Sequence, residues 1–350
     1  MAKYIYLFGK NSRIIFYYGD DGVSNEEYMS LHSMAIAGER NQALFYTEFI
    51  TFFDDPNYAD TIIREVFDNT GSWANKPLAQ RAAVIRVTIQ AQIMFMHVLS
   101  KLNEAVRGCV QGPATRNDSP DNYYEEYYGI DAWDEVAAYI IGSLEGKDLG
   151  GSSHFNDGAS LWALANSRCI EFGRQNEEGF AISNAAIFNL LLAGKGKISA
   201  GSCEHLDRFS LGIAHMLFIS LFQSVVKYAI VTQFESAGSG DAEVAFASSF
   251  ANSVIPVLSH YDATSALRVL NNMVPADEFQ IMVPDGPQAV ADAFLSVADD
   301  FNIQCEYIGK SYEVDACMNY KSVLKGSSAS KNSYIHAWIL LGTVGITLLL

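Results

Sequence analysis

The sequence predicts an all-α protein: two duplicated helical lobes, the N-terminal one incomplete, followed by a C-terminal hydrophobic anchor segment. Three observations carry that prediction. Apolar residues recur at helical spacing along most of the chain, and no stretch keeps the period-2 alternation of a half-buried strand. Asn11-Ser12-Arg13-Ile14-Ile15-Phe16 is echoed by Asn166-Ser167-Arg168-Cys169-Ile170-Glu171-Phe172. Each copy continues through an acidic, Gly-containing loop (Gly19–Gly22 and Glu177–Gly179) into Val23-Ser24-Asn25 or Ile182-Ser183-Asn184. Self-similarity at a period of roughly 155 residues marks duplicated domains rather than a solenoid. The second copy carries an upstream segment, Tyr123–Gly158, that the first lacks, so the natural chain is expected to extend upstream of Met1.

The elements follow in order. Residues 1–110 form the partial N-terminal lobe. Within 24–53, Tyr28, His32, Ala35, Glu39 and Tyr46 fall near one helical face. Pro77 suits the first turn of a long apolar helix, Arg81–Val106, because its missing N–H would be unpaired there anyway. Residues 111–122 are rich in Gly, Pro, Asn and Asp and read as a linker. Residues 123–325 form the C-terminal lobe. Asp131 is the expected N-cap of a helix carrying Trp133–Leu144, with Gly146 as its stop. Leu161–Phe172 and Ile182–Leu192 read as short buried helices, and Asp207–Phe234 as the second long apolar one. Ala242–Leu258, which Pro256 kinks or ends, and Pro287–Phe301 complete the helical set. Residues 326–350 hold a small-residue spacer and a hydrophobic stretch.

Composition narrows the function. The 350 residues are 49% hydrophobic and carry a net charge of −17, with a pI near 4.7. Phosphate recognition needs a Lys/Arg field, so nucleic acid is excluded as a natural partner. A cation suits the field, although an acidic surface also simply keeps a secreted protein soluble. Met1–Phe8 lacks a hydrophobic region followed by a cleavage site and is no signal peptide. The stretch 335–350 has no Asp, Glu, Lys or Arg. Small residues Gly326–Ser330 and the spacer Lys331–Tyr334 precede it, the pattern of a GPI-attachment signal. A short transmembrane anchor and a buried helix are the other readings. Either anchor places the bulk of the protein outside the cell. No CxxC pair supports a zinc site. In an oxidising compartment Cys305 meets Cys317, and Cys169 meets Cys203, leaving Cys109 odd; five buried thiols are the alternative.

The densest polar and aromatic cluster is Tyr123-Tyr124-Glu125-Glu126-Tyr127-Tyr128-Gly129-Ile130-Asp131-Ala132-Trp133-Asp134-Glu135. Ferric iron prefers anionic oxygen, from carboxylates and from phenolate whose proton the metal displaces. Tyr interleaved with Asp and Glu is the composition such a site needs, and it also suits a protein contact surface. Glu135 and Tyr139 are i,i+4 and share a helix face. Asp134 and Glu145 lie three turns apart on another stripe. Arg168 can hold an anion bidentately, or bridge to Glu171. Glu204-His205-Leu206-Asp207 groups polar residues at a helix start, where acids also serve the helix dipole. His97 and His215 lie in apolar helices and read as core histidines. No HExxH, GxSxG, GxxxxGK[ST] or GxGxxG occurs, and no nucleophile, base and orienting group assemble, so the chain is not expected to be an enzyme.

Tyr128–Tyr139 followed by Gly142-Ser143-Leu144-Glu145-Gly146 resembles a "WDEA…GSLEG" segment of the phytotransferrins, the algal iron-assimilation proteins that include the iron-starvation-induced surface proteins. Leu164–Gly173 is similar to their "LA-x-x-RC-x-x-FG" stretch, and Ile85–Gln90 to a recurring helix start. Glu243–Ala247 with Ile255–Leu258, and Asp285–Phe294 with Ile303–Cys305, resemble later parts. The first lobe departs from the pattern in lacking its own WDE…GSLEG. The resemblance implies a cell-surface protein that binds Fe3+ together with carbonate for high-affinity uptake, then is internalised into acidic compartments. Tyr128, Asp134, Glu135, Tyr139 and Glu145 are then the expected metal-side residues and Arg168 the anion-side residue. A helical surface adhesion or interaction protein without metal is the alternative, and a metal-dependent or redox enzyme a third.

Overall fold

The computed structural model describes residues 3, 6, 30–36, 43–112, 129–142, 160–240, 242–277, 279–301, 303, 305–312 and 314–318. The fold is all-α. The helices are α1 (Leu31–Ala35), α2 (Tyr46–Phe53), α3 (Tyr58–Asp68), α4 (Leu78–Val87), α5 (Phe95–Gln111), α6 (Ile130–Ile141), α7 (Leu161–Phe172), α8 (Ile182–Ser199), α9 (Leu206–Thr232), α10 (Ala242–Tyr261), α11 (Ala263–Met273) and α12 (Pro287–Leu295). A small antiparallel hairpin follows: β1 (Lys310–Ser311) pairs with β2 (Val314–Asp315). The first copy of the sequence repeat, most of the 111–122 linker and the 326–350 segment lie outside the described residues.

Several boundaries differ from the sequence expectation for identifiable reasons. Helix α6 starts at Ile130, and its N-cap is Gly129 at φ 100°, not Asp131, which sits in the first turn. A Cβ at Gly129 would overlap the Ala105 carbonyl of α5, so close helix approach fixes that glycine. The same helix stops at Gly142, φ 78°, one turn before Gly146. Pro256 does not end α10, which runs through it to Tyr261. Helix α8 continues through Gly194 to Ser199. Between α4 and α5 the helix is not interrupted but widens into a π segment, Thr88–Met94, carrying buried Gln90 and Gln92.

One core joins the elements on both sides of the 111–122 boundary. It takes in Phe49, Tyr58 and Phe95 from the N-terminal side and Trp133, Phe218, Phe222, Phe294 and Phe301 from the C-terminal side. Helix α4 packs along α10, and α5 along α6 and α9. Three helical runs, Leu78–Gln111, Leu206–Thr232 and Ala242–Tyr261, are long and apolar enough to cross a membrane. A helix apolar all round is buried either in lipid or in a large core. Here 72%, 72% and 67% of their windows are covered by the protein itself, so they serve as core helices.

The repeated Asn-Ser-Arg and Ile-Ser-Asn motifs meet in the second copy. Asn184 Nδ2 donates to Asn166 Oδ1 (2.9 Å) and to the Trp162 carbonyl (3.0 Å), and Ala181 N–H donates to the same Asn166 oxygen (2.9 Å). Both asparagines are buried, so these bonds pin α8 onto α7. Cysteine pairing differs from expectation in part. Cys305 bonds Cys317, but Cys203 bonds Cys109 rather than Cys169, which stays a buried thiol. The end of α5 lies beside the turn before α9, a proximity that sequence spacing does not encode.

Trp133 anchors α6. Its indole N–H donates to the Leu191 carbonyl (2.8 Å), and the ring lies over Gly194, where a Cβ would overlap it. Gly194→Ala is therefore expected to destabilise the protein by about 1–3 kcal/mol through overpacking. That outweighs the roughly 1 kcal/mol Ala gains in helix propensity. Urea unfolding measures it; an unchanged or raised midpoint would contradict this packing.

Candidate functional site

The block Tyr128–Gly146 folds into α6 and its flanks, and packing explains only part of it. Gly129 permits contact with α5, Trp133 anchors on α8, and Val136 and Ile140 fill the core. Asp134 and Glu135 are salt-bridged and Tyr139 is buried in the core with a phenol at its tip; these are the polar groups the helix offers for chemistry.

Two of these face the same neighbour. Glu135 and Tyr139 are one turn apart on the side of α6 that meets α5. The facing residues are His97, Lys101 and Glu104, which form one stripe of α5. Lys101 Nζ lies 2.9 Å from Glu104 Oε2 and 3.1 Å from Glu135 Oε2. Its ammonium is buried, and burial alone would lower its pKa. The hydrogen bonds and charges of Glu104 and Glu135 outweigh that and hold it above the ordinary lysine value. Tyr139 is buried, and its ring meets the His97 ring edge-on at 4.6 Å between centroids. Asp134 turns the other way, to the exposed flank, where Lys195 Nζ of α8 donates to both carboxylate oxygens at 2.9 and 2.7 Å. Tyr128 and Glu145 lie outside the described residues.

Arg168 occupies a separate setting on α7. It is 7% exposed. Its Nη1 lies 3.1 Å from Glu171 Oε2, its Nη2 donates to Ser167 Oγ (3.0 Å), and its buried Nε meets no acceptor among the described residues. Glu171 also takes Lys227 Nζ of α9 at 2.6 Å. Burial pulls the Arg168 pKa down from its ordinary value, against the attraction of Glu171 and with the repulsion of Arg86 on α4. Tyr228, beside Lys227, has its phenol pushed up by burial and pulled down by Arg168 and Arg86. Two cations, Arg168 of α7 and Lys227 of α9, thus hold one carboxylate, with Tyr228 of α9 and Arg86 of α4 close enough to Arg168 to act on its charge. The contacts of Arg168 run to this group and not to Asp134, Glu135 or Tyr139.

The sequence reading missed Lys101, Arg86, Lys227 and Tyr228, because each lies on a helix other than that of the residue it approaches. Lys101 had a faint signal, a charge inside an otherwise apolar run. A further cluster also went unread. Asp60 Oδ1 accepts from Tyr6 Oη and from His32 Nδ1, both at 2.9 Å, and its Oδ2 from Arg64 Nε at 2.6 Å. Arg64 Nη2 lies 3.4 Å from His32 Nε2. His215 is a satisfied core histidine as expected: its Nδ1 donates to the Phe301 carbonyl (3.0 Å) and its Nε2 accepts from Tyr261 Oη (3.2 Å).

Among the described residues one group of three potential metal-ligating side chains lies within 4.8 Å, Cys305, Glu306 and Cys317. Its two sulfurs are bonded to each other, so it offers no thiolate. In comparisons with known proteins, no family model, no curated protein and no solved structure matches the chain.

Proposed function

We propose that this chain is a cell-surface protein that binds ferric iron with carbonate for uptake and releases it on acidification. The observation that carries the reading is the Tyr128–Gly146 block. It resembles the phytotransferrin segment, and its Glu135 and Tyr139 lie together against α5, Glu135 on Lys101 and the buried Tyr139 ring on His97. A phenolate and a carboxylate one turn apart are hard-oxygen donors of the kind ferric iron takes. Tyr128 and Glu145 flank the same helix in sequence and complete the proposed metal side, while Asp134 lies on the other flank of the helix, against Lys195. A trivalent ion arriving at Glu135 displaces the Lys101 ammonium toward Glu104. Arg168, a buried cation whose Nε–H meets no acceptor among the described residues, is the proposed anion side on the resemblance, its own contacts running to Glu171 rather than to Glu135 or Tyr139. The two disulfides fit an oxidising, extracellular setting, and the 335–350 stretch is the proposed membrane attachment.

Carbonate and phenolate bind iron only when deprotonated, so iron affinity falls as pH falls. Tyr139→Phe is expected to remove or shift the visible ferric–phenolate band, and Arg168→Gln to weaken its dependence on bicarbonate, each by tenfold or more in apparent affinity. Absorbance titration with chelated ferric iron reads both. Wild-type binding unaltered in both variants would refute these assignments. A second reading, a helical interaction protein without metal, draws on the lysine partners of Asp134 and Glu135, which make both carboxylates serviceable as purely structural groups.

A further inference from the structure

Asp60 lies outside both the α6 block and the Arg168 group, and it gathers donors that stability alone does not call for. It sits in the first turn of α3 and is 7% exposed. Its Oδ1 accepts from Tyr6 Oη and from His32 Nδ1, each at 2.9 Å, and its Oδ2 accepts from Arg64 Nε at 2.6 Å. Tyr6 and His32 lie 54 and 28 residues from Asp60 in sequence, so three separate parts of the chain meet at one carboxylate. Desolvating a carboxylate is costly, and apolar side chains of similar volume hold such elements together as well or better. The setting is already apolar: the Tyr6 ring lies 6.1 Å from that of Phe67, and Ala59 and Ile63 of the same helix are fully buried.

With phenol oxygen counted among the donors, Tyr6, His32 and Asp60 form a group of three potential metal ligands. Donors at right angles on a metal with bonds of about 2.05 Å are ~2.9 Å apart. The Tyr6–Asp60 and His32–Asp60 separations have that length, so two edges of a coordination sphere are already set. Solvent reaches the cluster from the side of His32 and Arg64, whose side chains are 25% and 45% exposed. Charge and donor type select the ion. Phenolate and carboxylate together bring two negative charges, and Arg64 on Oδ2 brings one positive charge. A divalent ion therefore leaves less net charge in this buried place than a trivalent one, and buried net charge is expensive. One imidazole nitrogen and two anionic oxygens at right angles suit the late first-row divalent ions, copper(II) above zinc.

We propose that Tyr6 Oη, His32 Nδ1 and Asp60 Oδ1 form a binding site for a divalent late transition-metal ion, copper(II) foremost. On binding, the Tyr6 phenol proton leaves to solvent. His32 gives up its Nδ1 proton and carries one on Nε2, from which the half-exposed Arg64 Nη2 turns away. Arg64 Nε stays on Oδ2 and keeps Oδ1 turned toward the ion. The site shares no residue with the α6 block and does not rest on ferric binding.

The test is a titration of the full chain with copper(II) chloride, followed by visible absorbance and by the copper retained after desalting. The wild type is expected to retain copper with a phenolate-to-copper absorption band, and its electron paramagnetic resonance spectrum to show one coordinated nitrogen. Tyr6→Phe keeps the ring beside Phe67, removes only the donor and is expected to abolish the band. Asp60→Asn and His32→Gln are expected to weaken retention about tenfold or more, since even the hydrogen-bond partners of metal ligands cost that much when lost. Circular dichroism identifies a variant that fails to fold, and the wild-type spectra and Tyr6→Phe then decide. Zinc chloride is expected to displace the copper and the band with it. A wild type that retains no copper overturns the site. Copper retained without the band, or with a band that survives in folded Tyr6→Phe, sits on other groups and overturns it as well. Ferric iron that displaces the copper where zinc does not overturns the divalent assignment.

Discussion

Breaking the Cys109–Cys203 bond is expected to lower the stability of the protein by about 4–5 kcal/mol. The bond joins residues 94 apart, and in the chain-entropy description the unfolded state gains more freedom the longer the released loop. It also ties the end of α5 to the turn before α9, across the only stretch that reads as a linker, so it holds together elements that share one core. The Cys305–Cys317 bond spans 12 residues and is worth about 3 kcal/mol on the same reasoning. Urea unfolding of Cys109→Ser/Cys203→Ser and of Cys305→Ser/Cys317→Ser compares them. The first pair should lose more stability than the second. Equal losses, or a larger loss in the second, would mean that native-state contacts rather than loop length set these contributions.

Acidification should weaken the core through His215. This ring is 4% exposed, and burial drives its pKa down to about 4, only partly opposed by the bond to the Phe301 carbonyl. Tyr261, its other partner, has its phenol pushed up to about 12 and stays a donor throughout. The unfolded chain takes up the proton near pH 6.5 and the folded chain only near pH 4. Between those values the unfolded state binds more protons, so stability rises with pH across the window and is lost as pH falls through it. Above pH 6.5 the contribution is complete. Two and a half pKa units correspond to roughly 3 kcal/mol. Unfolding midpoints at pH 7, 5 and 4 should fall steeply in the wild type and less in His215→Gln, which keeps a neutral polar group there. Parallel falls would place the acid sensitivity elsewhere. Because His215 joins α9, α10 and the chain after α12, an acidic compartment loosens these elements while it protonates the proposed carbonate and phenolate.

Much of this fold is legible in the sequence because its helices are long and apolar. Leu161–Phe172 matches to the residue, and Leu206–Thr232 lies within two residues of expectation at either end. What stays hidden depends on partners from elsewhere in the chain. The helix read as Ile182–Leu192 runs on through Gly194, the seat of Trp133, to Ser199. Pro256 reads as a kink or a stop, and α10 runs on through it to Tyr261 within the core. The π segment places Gln90 and Gln92 inside, where Gln92 Nε2 reaches Ser253 Oγ of α10 at 3.3 Å and Gln90 Nε2 the Ser160 carbonyl at 3.1 Å. Those contacts are long-range and leave no periodic trace. The site divides the same way. The Glu135–Tyr139 and Arg168–Glu171 spacings are local and could be read directly. The groups that surround them, Lys101 and His97 in one case and Arg86, Lys227 and Tyr228 in the other, become neighbours only when the helices pack.

The most direct test of the proposed function is an equilibrium titration of the full chain with chelated ferric iron, with and without bicarbonate, followed by visible absorbance from pH 7.5 to 5. Iron uptake through phenolate and carbonate predicts a saturable band that needs bicarbonate and fades as pH falls. A solution that stays colourless under every condition, with no iron retained after desalting, would contradict ferric binding and leave the helical interaction protein as the reading of this chain.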